Sequence, residues 1–352
     1  MFWVNLRKIG VGLVLLAIAG NLSCSSEREA VKPDAGESVS PPLQVVASGS
    51  ILCDLTDRIA QEKISLICLM DANQDPHTYR PTPSDRKVME TADLILYGGY
   101  NIAPHLEKVV RATNTDAPKI ALYEEAIPKP LMSEHHHHEE EEHNKKGERE
   151  HHHHEEEHSS QKEELEPDPH VWHDVKNAIA IVEEIKSQLI KLDPDRAEAY
   201  EENTEKYRDR LEKLHIWIQA QIATIPPQQR LLVTTHAAFN YYVNAYGLQG
   251  SEALQGVSSE ETPTAARVKE LAEKLKTIKV PVIFLETTAS ARTLETVARE
   301  AKIAIAEDKL LTGALGDKNA ETGSYIGMMS ANTCAIVKGL GGQCTPFPLP
   351  LQ

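Results

Sequence analysis

From Asp195 to Ile225 the chain runs for about thirty residues without a proline or glycine, until Pro226-Pro227 stops it. Within that stretch Tyr200, Tyr207, Leu211, Leu214, Ile218 and Ile222 recur at spacings of three, four and seven, which lines one face of a helix with apolar side chains. Asp193-Pro194-Asp195 suits its start, because proline tolerates the first turn and acidic groups favour the positive end of the helix dipole. Such a helix would be roughly 45 Å long. It is long enough to run the height of two domains as a stiff connector over residues 193–226, so a sheet is expected on each side of it.

Both flanks carry strand and helix patterns in alternation. Before the helix, Leu43 to Ala47, Ile64 to Met70, Asp93 to Tyr97 and Lys119 to Leu122 read as strands. They are separated by helical patterns at Ile51 to Ala60, Ser84 to Thr91 and Pro104 to Arg111, and Asp174 to Leu192 closes this half as a helix. After it, strands at Leu231 to Thr234, Val282 to Leu285 and Ile303 to Ala306 alternate with helices at Ala237 to Tyr246, Pro263 to Leu275, Ser290 to Glu300 and Ser324 to Leu340. Alternation of this kind predicts an α/β fold of two parallel-sheet lobes, 43–192 and 227–352.

One segment cannot contribute to either core. Residues 126–166 hold two blocks of four histidines, His135, His136, His137 and His138, then His151, His152, His153 and His154, with His143 and His158 between and after them. Ten of the sixteen histidines lie there, among runs of glutamate and almost no apolar residue. The composition reads as a disordered, loosely metal-binding loop inserted in the first lobe. An acidic solvating linker would explain the glutamates but not the paired histidine blocks. His154, Glu155 and His158 spell H-E-x-x-H, yet no apolar helix face surrounds them to hold a protease zinc site. Thirteen acidic and four basic side chains fall between Glu134 and Glu166, so this segment supplies about −9 of the formal net charge of −16. No basic stripe remains to neutralise phosphates, which argues against nucleic acid as a partner.

Arg7 and Lys8 precede an apolar run from Ile9 to Ala19, too short for a comfortable membrane span and laid out as a secretory signal over residues 1–23. Cys24, just after it in Ser23-Cys24-Ser25-Ser26, resembles a bacterial lipoprotein site, although Asn21 departs from the usual aliphatic residue; plain cleavage is the alternative. Residues 24–42 read as a flexible tether. Export to an oxidising compartment suits the even number of remaining cysteines. Local pairing, Cys53 with Cys68 and Cys334 with Cys344, closes the shortest loops, while other connectivities and free buried thiols stay open. Neither pair has the short spacing of a thiolate zinc site.

Three further histidines share a position type. His77 lies in Asp75-Pro76-His77-Thr78-Tyr79 after a strand, His170 in Asp168-Pro169-His170-Val171-Trp172, and His236 follows Leu231 to Thr234. Ligands of open α/β sheets sit beyond the carboxyl ends of strands, so three imidazoles from two lobes are placed to meet in one cleft. By contrast His173 does not share the motif spacing, and His105 and His215 fall on helical stretches.

At these residues the chain resembles the zinc- and manganese-binding solute-binding proteins of bacterial ABC transporters. The resemblance covers nearly the whole mature chain and is most specific at Asp75 to Asp85, Asp168 to Trp172 and Ser324 to Met329. It implies two lobes joined by a rigid helix with the metal between them, His77, His170 and His236 as ligands, and a membrane permease as partner. It also implies a non-enzymatic, exported protein in the periplasm or on the outer face of the cytoplasmic membrane, where a lipid on Cys24 would hold it. A monomer is expected. A histidine-rich loop marks the zinc-uptake members. Manganese-binding relatives place glutamate where this chain has His236, and an aspartate where it has Gly313. Three neutral imidazoles suit zinc, whereas an oxygen-rich site suits manganese. The fourth position falls to Asp308 or to water. An open position on three histidines also permits a secreted zinc hydrolase, although no glutamate accompanies the ligands as general base; a zinc buffer or adhesin is a further reading.

Overall fold

The computed structural model describes residues 42–135, 164–278, 280–348 and 350. The first lobe begins with β1 (Leu43–Ala47), α1 (Ser50–Ala60), β2 (Ile64–Cys68), α2 (Pro83–Glu90), β3 (Leu94–Tyr97), α3 (Pro104–Ala112), β4 (Lys119–Ala121) and the short α4 (Leu122–Ala126). Its sheet has the order β2-β1-β3-β4 and every pairing in it is parallel, with Val45 opposite Leu66 and Leu94. Val45, Val46 and Ala47 are wholly buried, as a strand covered on both faces requires.

A polar hairpin follows, β5 (Met132–His135) antiparallel to β6 (Glu164–Pro167). The insert expected as disordered from 126 to 166 is therefore narrower among the described residues: its two ends pair as a stem, and His135 lies opposite Glu164. Backbone hydrogen bonds satisfy the chain there without an apolar face, which is why no alternation announced it. The histidines from His136 to His158, the segment before Pro42 and Cys24 with it lie outside the described residues.

α5 (Val175–Leu192) leads through a single turn at Pro194–Arg196 into α6 (Ala197–Ile222). At 26 residues, α6 is shorter than the unbroken stretch suggested, because that turn and the turn after Ile222 take its ends. Tyr200, Tyr207, Leu211, Leu214, Ile218 and Ile222 are all buried, so the apolar face is the packed one.

The second lobe contains β7 (Leu231–His236), α7 (Asn240–Tyr246), β8 (Gly250–Gln255), α8 (Ala265–Thr277), β9 (Val282–Ile283), α9 (Ala291–Ala301), β10 (Ala304–Ile305) and α10 (Tyr325–Gly339). Parallel pairs β7–β8 and β9–β10 are brought side by side by a bond from Phe284 N to Val233 O. Disulfides join Cys53 to Cys68 and Cys334 to Cys344. No helix among the described residues is long and apolar enough to cross a membrane.

Candidate metal centre

Each of the three motif histidines leaves a strand's carboxyl end. His77 lies between β2 and α2; the far end of that loop is fixed where Thr82 and Asp85 cap α2 reciprocally and the Tyr79 hydroxyl lies 2.8 Å from Asp85 Oδ2. His170 follows β6 by three residues, and the next turn is pinned to the second lobe by Trp172 Nε1 donating to Thr312 O at 3.0 Å and Tyr325 donating to Trp172 O at 2.6 Å. His236 is itself the last residue of β7, which runs further than its apolar pattern suggested.

These loops converge. Nε2 of His170 lies 3.2 Å from Nε2 of His77 and 3.3 Å from Nε2 of His236, and each ring is at most 3% exposed. Their ligand atoms all fall within 4.8 Å of one another, the only such group of three or more found among the described residues. A tetrahedral ion with nitrogen bonds of roughly 2.0–2.1 Å holds its ligand atoms about 3.3–3.4 Å apart. The observed spacings match that edge.

Two buried carboxylates stand behind the rings. Asp168 Oδ1 is 2.9 Å from Nδ1 of His170 and also accepts that residue's backbone N–H at 2.9 Å, while Asn240 donates to Oδ2 at 3.0 Å. Glu286 Oε2 lies 2.5 Å from Nδ1 of His236, and its Oε1 accepts the backbone N–H groups of Thr235 and His236 at 2.8 and 3.0 Å. An ionised carboxylate only accepts, so in the neutral ring each Nδ1 carries the proton and each Nε2 presents its lone pair. Two lone pairs facing each other at 3.3 Å repel unless a cation sits between them. Neither carboxylate pairs with a lysine or arginine among the described residues, so a divalent ion would also balance their buried charge.

The same environment sets protonation. Burial, helped by neighbouring imidazoles, holds His77 and His170 well below the ordinary imidazole value and keeps their lone pairs free. Burial pulls on His236 in the same direction, yet the adjacent Glu286 together with Asp75 and Asp168 outweighs it and the net shift is upward. Burial pushes the Asp168 carboxyl up to about 7.

Asp308, expected as a candidate fourth ligand, is exposed and stands outside the group. It follows β10, whose residues are themselves exposed, and precedes the turn that carries Leu310 to its bridge with Glu286. At Gly313 an added Cβ would lie 2.6 Å from Pro76 Cδ, so backbone packed on the Asp-Pro-His turn fills that side of the cleft. His173 is fully buried and stacks on Phe239 with ring centroids 4.4 Å apart; His105 is half-buried beside Glu260, and His215 packs beside Tyr246. Sequence reasoning missed Glu286. Its signal was a glutamate directly after the apolar strand Val282 to Leu285, the same position type that singled out His236.

Comparison with known proteins agrees with this geometry. A family model described as zinc-uptake complex component A, periplasmic, matches residues 45–339. The metal ABC transporter substrate-binding lipoprotein SsaB of Streptococcus sanguinis is 32% identical over 336 residues, covering 95% of this chain and 99% of its own. The manganese ABC transporter substrate-binding lipoprotein PsaA of Streptococcus pneumoniae serotype 4 is 32% identical over 341 residues, covering 95% and 99%. Among solved structures, the periplasmic zinc-binding protein TroA of Treponema pallidum superposes with a TM-score of 0.72 at 28% identity, over 86% of this chain and 99% of that one. The match runs over most of the chain in sequence and in fold, and the chain belongs to the zinc-uptake component A family of ABC-transporter metal-binding proteins.

Proposed function

We propose that this protein captures zinc outside the cytoplasmic membrane and hands it to an ABC permease, with His77, His170 and His236 as the ligands. The observation that carries the reading is the composition of the facing set: three imidazole nitrogens and no carboxylate oxygen. Nitrogen donors suit a borderline-soft ion, and the carboxylates that manganese would favour are turned to the Nδ1 side of the rings. For the same reason a hydrolase reading lacks support, since Asp168 and Glu286 are engaged behind the ligands rather than placed at an open coordination position. Cys24 would carry a lipid anchor, a reading supported by its place after the apolar run Ile9 to Ala19 and by relatives named as lipoproteins. The histidine-rich segment would hold additional ions weakly.

Manganese is the second reading, favoured by relatives such as PsaA and the manganese-binding lipoprotein MntA of Halalkalibacterium halodurans, which is 29% identical over 337 residues. Competition decides between them. With residues 136–163 excised to remove weak sites, protein equilibrated with equal zinc and manganese should retain zinc in the cleft, and His236→Glu should narrow the preference. Retention of manganese by the unaltered cleft would overturn the zinc assignment.

A further inference from the structure

The loop after β8 starts beside one ligand and ends on the segment that carries another. Gln255 pairs in register with His236, and Ala237 N donates to Gly256 O at 2.8 Å. From there residues 256–261 form a turn wrapped around a single carboxylate. Glu261 accepts the backbone N–H of Gly256 at 2.8 Å, Ser258 Oγ accepts that of Glu260 at 3.2 Å, and the Gln255 side-chain amide donates to the carbonyls of Ser259 and Glu261. A Cβ at Gly256 would sit 2.5 Å from Glu261 Oε1, so a side chain there would push the carboxylate off the Gly256 N–H.

Two side chains cross from this turn to the first lobe. Ser259 Oγ donates to Asp75 Oδ2 at 2.5 Å, while Glu260 Oε1 meets Arg80 Nη2 at 2.9 Å and Oε2 lies 3.7 Å from His105 Nε2. Both main contacts end on the short segment around His77. The other oxygen of Asp75 accepts the His77 backbone N–H at 3.1 Å, and Arg80 also donates to Thr78 O at 3.1 Å. Ser259 therefore reaches a ligand residue's backbone through one carboxylate, and the same loop is bonded next to His236.

We propose that Ser259 is a positioning residue for metal release, latching the His77 segment to the His236 strand through Asp75, with the Glu260–Arg80 pair as its exposed partner. The proposal rests on the ligand set given above. Departure of the ion from a site this buried requires His77 and His236 to separate, and the latch opposes that separation without touching the ion. Its loss should act on dissociation rather than on the ligand atoms. A hydroxyl donated to a charged acceptor is strong enough to change that rate about tenfold.

The test is the release of zinc from the loaded mature protein into an excess of chromophoric chelator, followed by stopped flow beside a titration of stoichiometry. Ser259→Ala should speed release about tenfold with one tight zinc still bound and association little changed, and Ser259→Thr, which keeps the hydroxyl, should restore the slow rate. Arg80→Gln should have a smaller effect, and its combination with Ser259→Ala should be less than additive. Release from Ser259→Ala at the unaltered rate, or failure of threonine to rescue, would overturn the latch and leave the histidine site standing. Absence of a tight zinc in the unaltered protein would overturn both.

Discussion

At the scale of single residues, the three histidines that converge were legible and the carboxylates behind them were not. His77 and His236 announced themselves because each follows a strand pattern, and His170 because Asp168-Pro169-His170 repeats the Asp75-Pro76-His77 motif. Glu286 acts from the segment just after β9, which the bond from Phe284 N to Val233 O lays beside β7, and sequence spacing does not encode that pairing. Asp308 follows the apolar run Ile303 to Ala306, which forms an exposed strand, so it lies at the surface and outside the group of three histidines. The support role is measurable. Glu286→Gln removes the charge that fixes the His236 tautomer and raises its basicity, so zinc affinity should fall about ten- to a hundredfold, read by calorimetry, with the fold retained. Protonation offers a second check. The His236 shift is upward and the Asp168 carboxyl sits at about 7, whereas His77 and His170 stay neutral well below the ordinary imidazole value. An entering ion should therefore compete with protons at His236 and Asp168 rather than at the other two rings. Affinity should weaken as pH falls from neutrality, with a slope of about one to two protons per ion. A slope near three, from titrations at several pH values, would contradict the assignment.

At the scale of elements, segments with an apolar pattern were read correctly and polar ones were lost. The burial of one face of α6 follows from its heptad-like spacing, whereas β8, with the sequence Gly-Ser-Glu-Ala-Leu-Gln, buries only Leu254 and shows no alternation. The hairpin of β5 and β6 leaves Met132 and Leu165 at 50% and 59% exposure, so no core pattern marks it either. Its register has a consequence for the histidine-rich insert. Because His135 and Glu164 face each other, residues 136–163 can be replaced by a two-residue Asn-Gly turn without changing the strands on either side. The shortened protein should keep its melting temperature and one tight zinc, and lose the weak, variable sites that the unaltered chain shows in the same titration. Loss of the tight ion on excision would place the principal site in the insert.

At the scale of the molecule, the two-lobe plan was readable from one uninterrupted helix, but the way the lobes share a core was not. One continuous cluster of buried side chains runs from β1 through α5 and α6 to Phe239 and α10, while a separate one fills the outer side of the second lobe beneath α8 and α9. That sharing comes from contacts between segments far apart in sequence, which no local pattern carries. It holds the strand ends in a fixed relation, so three imidazoles meet at the spacing an ion requires, and two buried carboxylates turn their lone pairs toward one point. The most direct test is a crystal of the zinc-loaded protein with anomalous scattering recorded on both sides of the zinc edge. A single strong peak roughly 2.0–2.1 Å from Nε2 of His77, His170 and His236 is the expected result. A principal peak elsewhere, or one at this cleft bound mainly through carboxylate oxygens, would contradict the account.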